Sequence, residues 1–256
     1  MEKEGKYIYC IIGTKQERNF GPIGIGGRGD EVLTIDYDDL SMVVSSCPLT
    51  KFVVSSENML AHMRVIEKVM NEFDSVLPVR FDTVASNADE IRNLLDRRLR
   101  EFSILLKNMD HKIELGVKGS WKNMNAIFEE IVEENREIRQ AKEKIQNGAG
   151  GENTQAKMKV GKMVEEALKK KKKQEAEKIV DALRKTVVEY KLNKISGEEM
   201  FVNAAFLVDK GWEKEFDNII DELSEKYSDK VKFAYAGPVP VFNFVNIVIY
   251  PEEWEK

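Results

Sequence analysis

Two cysteines, two histidines, six prolines and no uninterrupted apolar run of membrane-spanning length in 256 residues exclude several kinds of protein at once. Cys10 and Cys47 have no Cys-x-x-Cys spacing, so neither a zinc ribbon nor a disulfide scaffold is expected, and both read as buried free thiols of a reducing compartment. His62 and His111 have no sequence-local partner with which to form a metal pair or a catalytic triad, so no metal, cofactor or catalytic residue is expected. The most apolar stretch, residues 239–250, is interrupted by Asn243 and Asn246 and is shorter than the roughly 18–20 residues of a membrane span. Positive charge is also in short supply: 40 Lys and Arg against 45 Asp and Glu give a net charge of −5. No global field holds a phosphate backbone, and neither nucleic acid nor a membrane is an expected partner. The charged start Met1-Glu2-Lys3-Glu4-Gly5 leads into an apolar run too short for a signal sequence, which predicts a cytoplasmic protein.

What is present is ample core material: 42% hydrophobic residues, 9% of the chain aromatic. At roughly 100–200 residues per domain, the length predicts two domains. The 33% of charged residues exceeds the roughly 25% of ordinary domains and predicts a long solvated helix.

Periodicity predicts a buried central strand at residues 7–13, a glycine-rich loop at 19–30, and antiparallel strands at 31–36 and 40–45 around an acidic turn. A helix capped by Ser55 or Ser56 is expected to run to about Phe73 with Met59, Met63, Ile66 and Met70 facing a sheet. A strand at 78–84, a helix from Asn87 or Ala88 through Leu106, and a half-exposed strand at 110–118 complete a first α+β domain, residues 1–119. Residues 123–146 and 154–190 are rich in Glu, Lys, Ala and Gln around Asn147-Gly148-Ala149-Gly150-Gly151, which predicts a charged helical hairpin over about 121–190. A strand at 201–208, a helix at 213–227 and strands at 230–235 and 241–250 complete a second α+β domain, residues 120–256. Mainly antiparallel sheets with helices on one face follow from this order.

Each chemical motif has a plainer reading beside it. Gly21-Pro22-Ile23-Gly24-Ile25-Gly26-Gly27-Arg28-Gly29 lacks the Gly-Lys-Ser/Thr of a phosphate loop and precedes a strand, so an inter-strand loop is favoured. His62 reads as a packed helical residue, and the Glu pairs at 129–130, 133–134 and 165–166 as helix surface. Lys169 to Lys173 reads as a solvated helical turn diluted by flanking glutamates. Arg80, between Val79 and Phe81, is expected to pin the sheet to a neighbouring element.

Several segments together resemble the gas vesicle protein GvpF/GvpL family. They are His62 followed by Leu77-Pro78-Val79-Arg80-Phe81-Asp82-Thr83, then Asn203-Ala204-Ala205-Phe206-Leu207-Val208, and the closing Gly237-Pro238-Val239-Pro240-Val241-Phe242-Asn243-Phe244-Val245. Asp82 stands where the family has glycine, and Val239 and Val241 stand for its Trp and Pro. The resemblance implies two ferredoxin-like or modified ferredoxin-like domains in an accessory or minor structural protein of gas vesicle assembly. It implies binding to the hydrophobic main shell protein and to other accessory vesicle proteins, without catalysis. His62, Pro78, Arg80, Phe81, Asn203, Gly237 and Pro238 are then the structural motif. Val239, Val241, Phe242, Phe244 and Val245 are the expected partner-binding residues, on an exposed edge strand. The alternative expectation is a small-molecule-sensing regulatory module with the 21–29 loop closing over a metabolite. A third is an enzyme acting on phosphorylated substrates through Arg80, His62 and that loop.

Overall fold

The structure, a computed structural model, describes residues 4–49, 52–146 and 154–249. The chain divides into two compact units, residues 1–114 with 237–256, and residues 115–236. The final segment thus belongs to the first unit, whereas the sequence suggests one cut after residue 119.

In the first unit β1 (Glu4–Ile12), β2 (Asn19–Gly21), β3 (Val32–Tyr37), β4 (Leu40–Pro48) and β5 (Val76–Pro78) form a sheet in the order β2-β3-β4-β1-β5, with β6 (Val84–Ala85) also on β1. All of these pairings are antiparallel. Tyr7 through Ile12 are fully buried, and alternate residues of a strand point to opposite faces, so β1 is covered on both sides rather than one. A bulge between Ile8 and Cys10 shifts the alternation. Tyr7 and Tyr9, then Cys10 and Ile12, consequently reach the same core cluster. Between β3 and β4 the acidic turn is two residues long, and Asp38 takes a left-handed φ of 53° that aspartate tolerates better than most residues.

Helix α1 (Ser56–Met70) starts at Ser55, whose hydroxyl accepts from the Asn58 amide at 3.2 Å. Its buried face is His62, Val65, Ile66 and Val69; of the expected stripe Ile66 is buried and Met70 packs against the core, while Met59 is 39% exposed. Asn87 caps α2 (Ala88–Arg97), and Glu90 reaches back to the Ser86 amide at 2.7 Å. The predicted continuous helix to Leu106 is broken at Arg98, after which α3 (Leu99–Met109) begins; α2 buries Ile91, Leu94 and Leu95, and α3 buries Phe102 and Leu106.

The predicted 78–84 strand is instead β5 and β6 joined by a tight turn, because Asp82 adopts a left-handed φ of 67° incompatible with a strand. The predicted 241–250 strand is not formed over its described part, which makes turns, with Phe244 and Val245 amides both donating to the Val241 carbonyl, and a single bridge from Ile247 to Val79. Asn243 explains this: its amide and side chain both donate to the buried Glu114 carboxylate, at 3.0 and 2.5 Å. Tyr250 lies outside the described residues.

In the second unit the sheet order is β10-β7-β9-β8, from β7 (Lys112–Trp121), β8 (Glu189–Leu192), β9 (Met200–Asp209) and β10 (Val231–Val239). Gly119 permits this sheet: an added Cβ would come within 2.8 Å of the Phe201 ring and Val202. Residues 123–146 form two helices, α4 (Met124–Glu134) and α5 (Arg136–Gln146), separated at Asn135, whose side chain donates to the Ile131 carbonyl at 2.7 Å. Helix α6 (Thr154–Leu183) ends in a short 3-10 turn and gives way to β8, whose first two residues the sequence places at the end of the helix. The turn sequence at 147–151 lies outside the described residues. Helix α7 (Glu213–Lys226) buries Phe216, Ile220 and Leu223.

Candidate functional site

Three residues of the motif segments, Val79, Phe81 and Phe242, meet at His62. Its ring is 1% exposed, and both nitrogens are engaged: Nε2 lies 3.2 Å from the Val79 carbonyl and Nδ1 lies 3.0 Å from the Tyr7 hydroxyl. A carbonyl only accepts, so Nε2 carries the hydrogen, Nδ1 accepts, and the Tyr7 hydroxyl donates. The Tyr7 oxygen in turn accepts from the Asp82 amide at 3.1 Å. Burial holds the imidazole neutral by pushing its pKa down to about 4, and it raises the Tyr7 phenol well above its usual range.

Aromatic rings enclose this polar chain. His62 stacks on Tyr9 at 5.6 Å and meets Tyr7, Phe81 and Phe242 at 5.7, 5.9 and 6.3 Å between centroids. Asp82 accepts the Phe52 amide at 2.9 Å, and the Phe52 ring lies edge-on to Tyr7. Pro78 ends β5 opposite Cys10. Arg80 is exposed and outside any strand, but it does pin a neighbouring segment, donating to the Asn246 side-chain oxygen at 2.7 Å.

The other sequence-derived positions separate from this hub. Asn203 donates to the Lys194 carbonyl at 2.9 Å and so holds the loop before β9, while Gly237, at φ 149°, and Pro238 lie near the end of β10. Of the expected partner-binding residues, Val241 and Val245 are 4% and 3% exposed, and Val239, Phe242 and Phe244 are half-buried. Val239 ends β10, an edge strand of its sheet, whereas the turns that follow bury Val241 and Val245. Cys10 and Cys47 are free and buried, and burial pushes the Cys47 thiol up to about 11.

The glycine loop is fastened by Ile25, which is 1% exposed and whose amide donates to the Tyr9 hydroxyl at 2.8 Å. A cavity of about 660 Å³ lies between Gly24, Gly26 and Gly27 and the α1 residues Asn58, Arg64 and Lys68. His62 does not contribute a free nitrogen to it, so the expected meeting of Arg80, His62 and this loop in one catalytic site is not formed.

Sequence reasoning missed an ion chain around one buried lysine. Lys171, in the supposedly solvated lysine run, has a side chain 9% exposed and meets Glu134 at 2.8 Å and Glu130 at 3.1 Å; Glu130 also meets Lys230 at 2.7 Å. The legible signal was Glu130 and Glu134, one helical turn apart beside the buried Ile127 and Ile131.

These arrangements define an α+β protein whose diagnostic residues hold a core together and hang a terminal segment on it. A family profile described as gas vesicle synthesis protein GvpL/GvpF matches residues 5–246, and the chain belongs to that family, with a gas-vesicle-related role. It is 24% identical to gas vesicle protein F1 of Halobacterium salinarum over 98% of this chain and 97% of that one. It is 27% identical to gas vesicle protein F of a Streptomyces species, over 93% and 98%. The crystal structure of GvpF from Anabaena sp. PCC7120 superposes with a TM-score of 0.82 at 21% identity, covering 96% of this chain and 100% of that one. No described helix is long and apolar enough to cross a membrane.

Proposed function

We propose that this protein is an accessory or minor structural component of gas vesicle assembly that binds the hydrophobic main shell protein and other accessory vesicle proteins in the cytoplasm, without catalysis. The observation that carries the reading is the family match over residues 5–246. Surface chemistry supports it: Val53 and Val54, just before α1, and Leu60 within it are apolar side chains 74%, 78% and 55% exposed. In this reading the two units are ferredoxin-like domains, α4 to α6 are the arms of a charged hairpin, and of the closing segment Val239, Phe242 and Phe244 touch a partner while Val241 and Val245 anchor them. Pulldown of the main shell protein, with an unrelated apolar protein as control, tests the reading. Specific capture that Leu60→Asp weakens is expected; absence of capture by folded protein overturns it.

A second reading, a small-molecule-sensing module, is favoured by the cavity under the glycine loop, where Arg64 and Lys68 have no carboxylate partner among the described residues. A thermal shift with phosphorylated metabolites, lost in Arg64→Ala, would support it over the first.

A further inference from the structure

The second unit ends its sheet on β8, which among the described residues pairs with β9 alone, so its other side is a sheet edge there. Between β8, the start of β9 and α6 lies a groove of about 380 Å³ with an apolar lining that includes Ala176, Val180, Leu192, Ile195 and Phe201. Leu192 and the adjacent Val188 are each 58% exposed. Most sheet edges avoid such side chains, because they invite another chain to pair.

Among the groove-lining residues cations outnumber carboxylates, in a chain whose net charge is negative. Four cations, Lys169, Lys172, Lys173 and Arg184, border the groove against two carboxylates, Glu177 and Asp181. Lys169, Lys173 and Arg184 each have a carboxylate neighbour, Glu165 at 2.7 Å, Glu177 at 3.8 Å and Asp181 at 3.0 Å. Lys172 does not: its half-buried ammonium donates to the Gly197 carbonyl at 3.1 Å, Glu198 and Glu199 act on it only from beyond ion-pair distance, and burial lowers its pKa. A partly desolvated cation at the lip of an apolar groove is stabilised by an incoming carboxylate.

We propose that the β8 edge and this groove are a docking site for an extended, acidic and apolar segment of a partner protein. The segment adds to β8 as a further strand, seats an aliphatic or aromatic side chain in the groove and brings a carboxylate to Lys172. The proposal rests on the partner-binding reading above and gives that reading an address.

The test is fluorescence anisotropy of the full chain with a short labelled peptide of alternating leucine and glutamate. The controls are a leucine–lysine peptide, the acidic peptide N-methylated at alternate residues, and decanoate. Saturable binding of the acidic peptide is expected, weakened about tenfold or more by Lys172→Glu, by Leu192→Asp and by N-methylation. Leu192 is exposed, so its variant carries the test even if Lys172→Glu fails to fold. Absence of binding, equal binding of the basic peptide, or binding that neither substitution moves overturns the proposal. Occupancy by decanoate alone overturns it too, in favour of a small amphiphile. Shell-protein capture that survives both substitutions would remove this docking site and leave the assembly reading standing, whereas loss of capture by the unaltered protein would remove that reading itself.

Discussion

Tyr7 and His62, 55 positions apart, share a buried hydrogen bond of 3.0 Å in which the phenol donates to the imidazole Nδ1. The same phenol oxygen takes the Asp82 amide, so one side chain of β1 ties α1 to the β5–β6 turn. Tyr7→Phe keeps the ring and removes both bonds, stranding an amide and an imidazole nitrogen. A loss of about 1–3 kcal/mol is expected, read as a lower urea midpoint at unchanged slope.

His62 makes stability fall in acid. Its pKa is about 6.5 unfolded and about 4 folded, so below pH 6.5 the unfolded chain takes up a proton that the native state refuses. The native state is therefore favoured in full above pH 6.5 and loses up to about 3 kcal/mol as pH falls to 4. In His62→Gln this part of the pH dependence should vanish. Urea titrations of both proteins at pH 7, 5.5 and 4.5 check it; parallel curves would refute the assignment.

Asp82 combines a left-handed backbone with an acceptor for the Phe52 amide. Asp82→Ala loses the acceptor and keeps an unfavourable φ, which predicts a cost of about 1–2 kcal/mol. Asp82→Gly regains backbone freedom and should be about 1 kcal/mol more stable than the alanine variant. Thermal melts of the three proteins give the order.

Lys171→Met should leave Glu134 and Glu130 without their shared cation. Because Glu134 is more than half exposed, solvent limits the damage to about 1–2 kcal/mol. Adding Glu134→Gln to that variant should cost less than it does in the unaltered protein, a coupling that a double-mutant cycle in urea measures.

Both thiols should resist alkylation while the protein is folded, since Cys10 is fully buried and burial pushes both pKa values up. Iodoacetamide at pH 8 should label neither in buffer and both in concentrated urea, as mass spectrometry counts directly.

Local information sufficed wherever one periodic face met one cap or turn. The central strand, the β3–β4 hairpin around Asp38, the Ser55 and Asn87 caps and the α7 face of Phe216, Ile220 and Leu223 are all legible in the sequence, because each depends on residues within a few positions of one another. The family motifs were legible as well, and with them the gas vesicle assignment. Tertiary structure alone decided what those motifs do. The bonds of His62 to Tyr7 and Val79, of Arg80 to Asn246 and of Asn243 to Glu114 join residues far apart in the chain, and no periodicity encodes them. The same long-range bonds turned a segment that reads as a closing strand into half-buried turns, while β8, four residues paired with β9, begins inside the stretch that reads as helix to Tyr190. Propensity is worth tenths of a kcal/mol per residue there, and pairing with β9 outweighs it.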